Sequence, residues 1–237
     1  MTAVQFYGHG LPGFSDAQLA GKLIVLEGPD GVGRSTQIAL LSEWLEASGY
    51  AVFSSGLKRS ELASQEIAKA KEGHILGDLT MTLFYAADFA DRLEREIIPV
   101  LRAGFVVLTD RYLYSLVARA IVRGVDGDWA RSLMGFALVP DAVFYLRTDV
   151  AHLLPRVLGS RGFDYWESGM DFSGRPDYFG SYAAYQERML AAFDDLGRQY
   201  GFRDVDATQG VHSVFVQLRD GIQEIVSELK PRREPKR

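Results

Sequence analysis

A glycine-rich stretch, GPDGVGRS at residues 28–35, has the composition and spacing of a phosphate-binding loop. Its three glycines let the backbone curl until successive N–H groups point inward at phosphate oxygens. The hydroxyl of Ser35 can ligate Mg²⁺, and the cation of Arg34 can neutralise the outer phosphates, although this position normally holds lysine. These residues therefore suit nucleotide binding and phosphoryl transfer.

Charged residues elsewhere in the chain would complete that chemistry. Asp110 and Arg111 directly follow an apolar run, and they offer a carboxylate for a metal ion and a cation for a phosphate. Arg156 and Arg161 lie in a glycine-containing segment that can close over the phosphates and exclude water. Phosphoryl transfer mainly requires two phosphates held in line with their charge offset, so few further catalytic groups are needed.

Each of these residues also has a purely structural interpretation, which the sequence leaves open. The acidic and basic pair after the apolar run can form a surface ion pair at a strand end. The two later arginines can belong to a solvated helix face. The same holds for two candidates that are assigned below: Phe84 can belong to the core, and Asp206 can cap a loop.

The hydrophobic pattern predicts the elements that must position these residues. Short apolar runs predict five strands, over residues 22–27, 50–54, 104–109, 140–147 and 203–206. Apolar residues at helical spacing predict helices over residues 35–48, 61–72, 79–101, 113–123, 129–138, 150–158, 178–200 and 211–229. Strands that alternate with helices form a parallel sheet covered on both faces. We therefore expect an α/β fold with its ligand site at the carboxyl ends of the strands.

The composition limits the kind of protein this can be. The 237 residues include 47% hydrophobic and 24% charged side chains, which is an ordinary globular mixture. The absence of cysteine excludes disulfides, thiolate metal sites and thiol nucleophiles, and the four scattered histidines do not predict a metal site. A net charge of −5 is a poor match to DNA or RNA, and no stretch approaches the ~20 apolar residues of a membrane span. We expect a cytoplasmic protein that binds neither nucleic acid nor membrane.

We expect one main domain with two short extensions. Residues 1–20 contain several glycines and a proline, which predict a loop-rich lead-in. Residues 21–229 hold the alternating strands and helices. The basic segment 230–237 is expected to be solvated and disordered, as charged chain ends usually are.

Several motifs follow one another along the chain: LEGPDGVG and STQ at residues 26–37, LFYAAD at 83–88, DRY at 110–112, PD and YL at 140–146, and DAT at 206–208. In this order they resemble the thymidylate kinase family of P-loop nucleoside monophosphate kinases, and the resemblance covers most of residues 22–229. It implies a P-loop NTPase three-layer sandwich with a five-stranded parallel sheet, helices on both faces and a short lid over residues 156–177. It also implies transfer of the γ-phosphate of ATP to dTMP in dTTP biosynthesis, with Mg²⁺ as cofactor, by a homodimer.

The resemblance also implies roles by position. ATP would be bound by Gly28, Pro29, Asp30, Gly31, Val32, Gly33, Arg34, Ser35, Thr36 and Asp206. The acceptor would be bound by Asp30, Lys58, Arg59, Phe84, Asp88, Arg92, Arg111, Ser115 and Arg119. Catalysis would depend on Arg34, Asp110, Arg111, Arg156 and Arg161, and Mg²⁺ would be ligated by Ser35 and Asp110.

Four positions depart from the usual pattern of the family. Arg34 replaces the loop lysine, and its planar fork aims differently from an ammonium group. Phe89 stands where an arginine is usual, with Arg92 three residues further on. Residues 119–120 are Arg-Ala in place of Tyr-Gln, and the segment ending at residues 58–60 lacks the usual Arg-Glu-Pro. Three of the four concern the acceptor, so the sequence leaves the acceptor open between dTMP and another monophosphate.

Two other functions stay open beside an active kinase of this family. A degenerate kinase would bind nucleotide for regulation or assembly without transferring phosphate, which the altered loop would explain. A P-loop kinase for a different acceptor would keep the donor site and change the pocket in which the departures cluster. The sequence favours an active nucleoside monophosphate kinase, because the ordered motifs accompany a matching frame of strands and helices.

Overall fold

The computed structural model describes residues 4–12, 14, 19–57, 67, 69, 77–160 and 162–231 of the chain. The strands of these residues are β1 (Lys22–Glu27), β2 (Val52–Gly56), β3 (Val106–Asp110), β4 (Ala142–Arg147) and β5 (Arg203–Asp206). They form one parallel sheet in the order β2-β3-β1-β4-β5. The register pairs Leu26 of β1 with Asp110 of β3, so these two strands end at the same edge of the sheet.

The helices surround this sheet and connect its strands. Those of the described residues are α1 (Arg34–Ala47), α2 (Asp78–Arg92), α3 (Leu113–Val122), α4 (Gly127–Leu133), α5 (Val150–Leu158), α6 (Tyr178–Tyr200) and α7 (Val211–Val226). Helix α2 continues through a π-helical turn, Leu93–Ile97, into a last α-helical turn, Ile98–Arg102. Pro99 follows the π-helical turn closely, and its missing N–H group removes one bond of the regular helical ladder there.

Each face of the sheet has its own hydrophobic core, because successive side chains of a strand point to opposite faces. Leu23 and Val25 of β1 pack in one core with α2, α3 and α6. Ile24 and Leu26 pack in the other with α1, α5 and α7. The predicted three-layer α/β sandwich, with helices on both faces of a five-stranded parallel sheet, is confirmed.

The predicted strands agree with the observed ones to within about two residues. Residues 22–27 and 203–206 have the observed bounds. The second strand was expected over residues 50–54, but β2 begins and ends two residues later. Its pairing with β3 brings Gly56 opposite Asp110, and this long-range pairing determines where the strand ends.

Among the predicted helices within the described residues, the one over residues 129–138 differs most from its observed bounds. Residues 129–138 were expected to be helical, but α4 begins earlier and ends at Leu133. The side chain of Asp126 accepts a hydrogen bond from the N–H of Trp129 at 2.7 Å, and this cap determines where the helix begins. The helix predicted over residues 61–72 falls mostly outside the described residues.

The described part of the N-terminal lead-in packs onto the sheet domain. Phe6 forms a β-bridge with Leu138, and the hydroxyl groups of Tyr7 and Tyr114 share a hydrogen bond of 2.5 Å. The predicted domain limits at residues 20 and 229 stay predictions. Within the ranges that the structure describes, no helix is both long and apolar enough to cross a membrane.

Candidate active site

The glycine-rich loop lies between the C-terminal end of β1 and the first turn of α1. Gly31 and Gly33 have φ angles of +84° and +102°, which residues with side chains rarely adopt. At Gly31 a Cβ atom would also lie 2.7 Å from Cγ2 of Val157. The first turn of α1 holds no acidic residue, and Ser35 and Thr36 are exposed there. The free N–H groups and the dipole at the N-terminal end of α1 can therefore bind an anion.

Arg34, at the usual lysine position, turns back onto the loop. Its Nη1 donates hydrogen bonds to the carbonyl oxygens of Gly28 at 2.5 Å and Pro29 at 2.6 Å, and its Nε donates to Oδ1 of Asp110 at 2.7 Å. Burial by itself would lower the pKa of Arg34, but the attraction of Asp110 and Asp30 outweighs burial and raises it. The guanidinium is thus a permanent cation that joins the loop to the end of β3.

Ser35 and Asp110 lie side by side where the loop meets α1. The hydroxyl of Ser35 donates to Oδ2 of Asp110 at 3.0 Å. Burial alone would raise the pKa of Asp110, but the nearby Arg34 and Arg111 and the hydrogen bonds from Arg34 and Ser35 lower it overall. A hydroxyl and an ionised carboxylate beside a phosphate-binding loop are oxygen ligands of the kind that Mg²⁺ takes together with phosphates. These two side chains fit the predicted metal ion.

Asp30 is bound between two arginines. Nη2 of Arg111 donates to Oδ1 of Asp30, and Nη2 of Arg119 donates to Oδ2 at 3.2 Å. Nη1 of Arg111 also donates to the carbonyl oxygen of Gly28 at 3.3 Å and to the hydroxyl of Ser115 at 2.9 Å. Arg111 has a φ of +74°, and no other non-glycine residue in the described ranges has a positive φ. Backbone strain of this kind persists where surrounding contacts impose it, as at many functional sites.

These charged side chains line a polar cleft at the carboxyl end of the sheet. The polar cleft is lined by Asp30, Gly56, Leu57, Asp110, Arg111, Arg119 and Glu167. A mainly apolar cavity beside it is lined by Asp78, Met81, Thr82, Tyr85, Leu116, Arg119, Ala120, Arg123, Val125, Trp166 and Glu167. Arg119 and Glu167 line both spaces. Charged groups and apolar walls therefore lie side by side here, which is the combination that recognises a ligand with an anionic group and an aromatic ring.

Glu27, for which the sequence predicts no role, holds the turn between β3 and α3. Its Oε1 accepts the N–H groups of Tyr112 at 2.8 Å and Ser115 at 3.1 Å, and its Oε2 accepts the hydroxyl of Ser115 at 2.6 Å. Burial raises the pKa of Glu27 by more than Arg111 and these hydrogen bonds lower it. The sequence feature that points to this role is an acidic residue at the end of an apolar strand, directly before the loop. A carboxylate buried at such a position needs specific hydrogen-bond partners.

The predicted acceptor residues on α2 occupy different environments. Phe84 is half-buried against the core, and its neighbour Tyr85 lines the apolar cavity. Asp88 and Arg92 are fully buried, with Nε of Arg92 3.2 Å from Oδ2 of Asp88. Nη1 of Arg92 donates to the hydroxyl of Ser55 at 3.3 Å, so its side chain reaches the end of β2 beneath the polar cleft. Burial lowers the pKa of Arg92 by more than the attraction of Asp88 raises it.

Arg156 joins the glycine-rich loop to the turn after β5. Its Nη1 donates to the carbonyl oxygen of Val32 at 3.3 Å, and its Nη2 donates to that of Ala207 at 2.8 Å. The carboxylate of Asp206 accepts hydrogen bonds from the N–H and the hydroxyl of Thr208 at 3.0 and 2.6 Å and so caps the same turn. The structure therefore brings Arg156 and Asp206 together on one side of the loop. Three predicted site residues lie outside the described residues: Lys58, Arg59 and Arg161.

A parallel sheet of this order, with a glycine-rich loop between its central strand and the following helix, defines a P-loop NTPase fold. A sequence profile for the family described as thymidylate kinase matches residues 26–168. The chain belongs to the thymidylate kinase family.

Individual relatives are similar to this chain over most of its length. A protein named "Probable thymidylate kinase 2" from Saccharolobus solfataricus is 35% identical over 203 residues, which cover 85% of this chain and 95% of the relative. A "Thymidylate kinase" from Clavibacter michiganensis is 39% identical over 219 residues, covering 88% of this chain and 98% of the relative. A "Probable thymidylate kinase" from Thermococcus kodakarensis is 40% identical over 148 residues, covering 56% and 70%. The predicted family, and with it the predicted class of phosphotransferase, is confirmed.

Proposed function

We propose that this protein transfers the γ-phosphoryl group of ATP to dTMP, giving ADP and dTDP. The observation that carries this proposal is that the polar cleft and the apolar cavity lie next to each other and share Arg119 and Glu167 as lining residues. The polar cleft adjoins the phosphate-binding loop at Asp30 and Asp110, whereas the apolar cavity offers walls suited to a base. The names of the relatives support dTMP as the acceptor.

The loop and its surroundings support ATP as the donor. We assign phosphate binding to the backbone N–H groups of the residues other than Pro29 in the stretch 28–36, where the loop enters α1. We expect Arg156 and Asp206, which lie on one side of the loop, to border the nucleoside part of the donor. Mg²⁺, held by Ser35 and Asp110, would supply charge neutralisation at the phosphates when bound.

The transfer itself is a substitution at phosphorus. An oxygen of the dTMP phosphate forms a bond to the γ-phosphorus while the bond to the β–γ bridging oxygen breaks, and that electron pair leaves with ADP. We assign the acceptor phosphate to Arg111, which lines the polar cleft, while Arg34 holds Asp110 and the loop in position. Most of the rate enhancement then comes from positioning and from fixed charge near the transferring group.

Other acceptor residues form a second layer around this step. Tyr85 lines the apolar cavity on the base side, and Phe84 stays a predicted contact of the base. The buried pair of Asp88 and Arg92 supports the end of β2. Ser115 positions Arg111 through its hydroxyl. Lys58, Arg59 and Arg161 stay predicted phosphate ligands by their place in the sequence.

An ADP-release assay tests the proposal directly. The purified chain, with MgATP at saturation, is offered dTMP, dUMP, UMP, dCMP, dGMP and AMP in parallel, and we expect the highest kcat/KM with dTMP. A higher kcat/KM with another monophosphate would show that this monophosphate, and not dTMP, is the acceptor. If calorimetry shows that ATP binds but no phosphate is transferred to any of the six, the proposal is overturned. That result would favour the degenerate kinase, which binds nucleotide without transferring phosphate.

We also propose that the protein works as a homodimer in the cytoplasm and binds neither nucleic acid nor membrane, as the family resemblance and the net charge of −5 indicate. Sedimentation equilibrium of the full chain at micromolar concentration measures whether it forms a dimer. A mass of one chain, 26.3 kDa, would contradict it.

A further inference from the structure

Residues 164–173, which we call the wall segment, are bound to helix α3 through one arginine. Arg123 is the C-cap residue directly after α3, and its Nε and Nη2 donate to the two carboxylate oxygens of Asp171 at 2.7 and 3.2 Å. Its Nη2 also donates to the carbonyl oxygen of Trp166 at 2.9 Å, and its Nη1 donates to the hydroxyl of Tyr185 at 3.0 Å. One guanidinium therefore contacts both ends of the wall segment and helix α6.

This arginine is enclosed by aromatic rings. Cζ of Arg123 lies 5.1 Å from the ring centroid of Tyr185 and 5.5 Å from that of Phe172. The side chains of Arg123 and Asp171 are each only 9% exposed. A bidentate pair shielded from solvent in this way is far stronger than an exposed ion pair, and its geometry depends on the planar fork of arginine.

Helix α6 holds the wall segment at further points. The hydroxyl of Ser181 donates to the carbonyl oxygen of Ser168 at 2.6 Å, and Nε2 of Gln186 donates to the carbonyl oxygen of Glu167 at 3.0 Å. Within the segment, the N–H of Ser168 bonds to the carbonyl oxygen of Asp164 at 2.9 Å. The backbone of the segment is thus bonded internally and to two helices.

The wall segment carries two side chains that line the acceptor side of the site. Trp166 and Glu167 border the apolar cavity, and Glu167 also borders the polar cleft. Arg123 itself lines the apolar cavity, one helical turn after Arg119. The contacts that fix the segment therefore also fix one side of the space assigned to dTMP.

We propose that Arg123 is a positioning residue for the acceptor: it holds residues 164–173 as a stationary wall, so that Trp166 and Glu167 are in place before dTMP binds. This inference rests on the proposed function. It limits the predicted lid of residues 156–177, because Arg123 and helix α6 hold residues 164–173 in place. No contact of Arg123 reaches the loop that binds ATP within the described residues, so the effect is specific to the acceptor.

Steady-state kinetics of two variants test this proposal. Arg123→Lys keeps the charge and loses the fork, and Asp171→Asn keeps the shape and loses the charge. For each we expect KM for dTMP to rise about tenfold or more, as for the loss of a shielded charged hydrogen bond, with kcat and KM for ATP within about twofold of the original values. The matched control is Arg198→Lys, which alters an exposed arginine paired with Asp195 on α6, and it should leave all three constants unchanged.

The pattern of the constants decides the question. An unchanged KM for dTMP in a folded variant, or a parallel rise of the KM values for dTMP and ATP, would overturn the positioning role. The double variant should raise KM for dTMP no more than the larger single effect, because both changes break one interaction. If Arg123→Lys does not fold, Asp171→Asn alone carries the kinetic test.

Hydrogen exchange of the wall segment gives a readout that is independent of turnover. The amide N–H groups of Ser168 and Met170 form hydrogen bonds within the segment, so they should be protected from exchange in the protein without ligand. Asp171→Asn should speed their exchange at least about tenfold. Fast exchange in the unaltered protein that slows only when dTMP is added would overturn the proposal. A lack of transfer to dTMP by the unaltered protein would instead refute the proposed function and leave this measurement valid.

Discussion

Nε of Arg34 donates a hydrogen bond to Oδ1 of Asp110 at 2.7 Å, across 76 residues of chain. The same side chain donates to the carbonyl oxygens of Gly28 and Pro29. A lysine ammonium is a compact charge on a flexible stem and cannot reproduce this planar arrangement of three contacts. The arginine therefore serves the site as a clamp between the loop and β3, besides supplying positive charge.

The clamp predicts that restoring lysine lowers activity. Arg34→Lys should reduce kcat about tenfold or more, since at least one charged hydrogen bond is lost and Asp110 is released. Initial rates in the ADP-release assay measure this, with Arg219→Lys as a control because that arginine forms an exposed pair with Asp220. A higher kcat in Arg34→Lys would show that the arginine restrains transfer instead.

Removing the charge at Asp110 should affect turnover more than ATP affinity. Asp110→Asn keeps the shape of the side chain but weakens the ligand for Mg²⁺ and the partner of Arg34. We expect kcat to fall about a hundredfold or more, because fixed charge acts mainly on the transferring group. Calorimetry should show a much smaller loss in ATP affinity. A fall in kcat below about tenfold would mean that the carboxylate has another role.

The backbone at Arg111 predicts an unusual ranking of two variants. Its φ of +74° is strained for any residue with a Cβ atom but not for glycine. Arg111→Gly and Arg111→Ala both lose the guanidinium and should both lose activity. The glycine variant should nevertheless be more stable than the alanine variant by about 1 kcal/mol in urea unfolding. Equal stability, or a more stable alanine variant, would contradict the strain at this position.

Glu27 predicts a contribution to stability that depends on pH. Burial raises its pKa in the folded protein above the ordinary 4.5, so the folded state holds this proton more tightly than the unfolded chain. As the pH rises past 4.5, ionisation of Glu27 therefore removes stability until its folded-state pKa has been passed. Glu27→Gln abolishes this titration while keeping an acceptor oxygen for Tyr112.

The free energy of unfolding measured in urea at several pH values checks this sign. The difference between Glu27→Gln and the unaltered protein should move in favour of the variant as the pH rises from about 4.5 to about 8. Glu228→Gln is a suitable control, since that carboxylate is exposed and its pKa is lowered by a hydrogen bond from Lys22. A difference that moves the other way would show that the site stabilises ionised Glu27.

Local patterns in the sequence were enough to determine the frame of the site. An apolar run over residues 22–27, a glycine-rich loop and helical spacing from residue 35 predict strand, turn and helix, because these elements depend on near neighbours in the chain. Parallel strands end at a common edge, so Asp110 and Arg111 were expected beside the loop, and they lie there. The ordered motifs predicted the family in the same way.

Only the tertiary structure decided which charged groups meet. Asp30 pairs with Arg111 and Arg119, which are 81 and 89 residues away, while Arg34 takes Asp110. The periodicity of helices and strands does not predict these pairings. They depend on the order of the strands in the sheet, and on the need of a buried carboxylate for a cation within hydrogen-bond distance. Arg123 and Glu27 acquire their roles for the same reason: distant segments pack against them and exclude the water that would otherwise satisfy their charge.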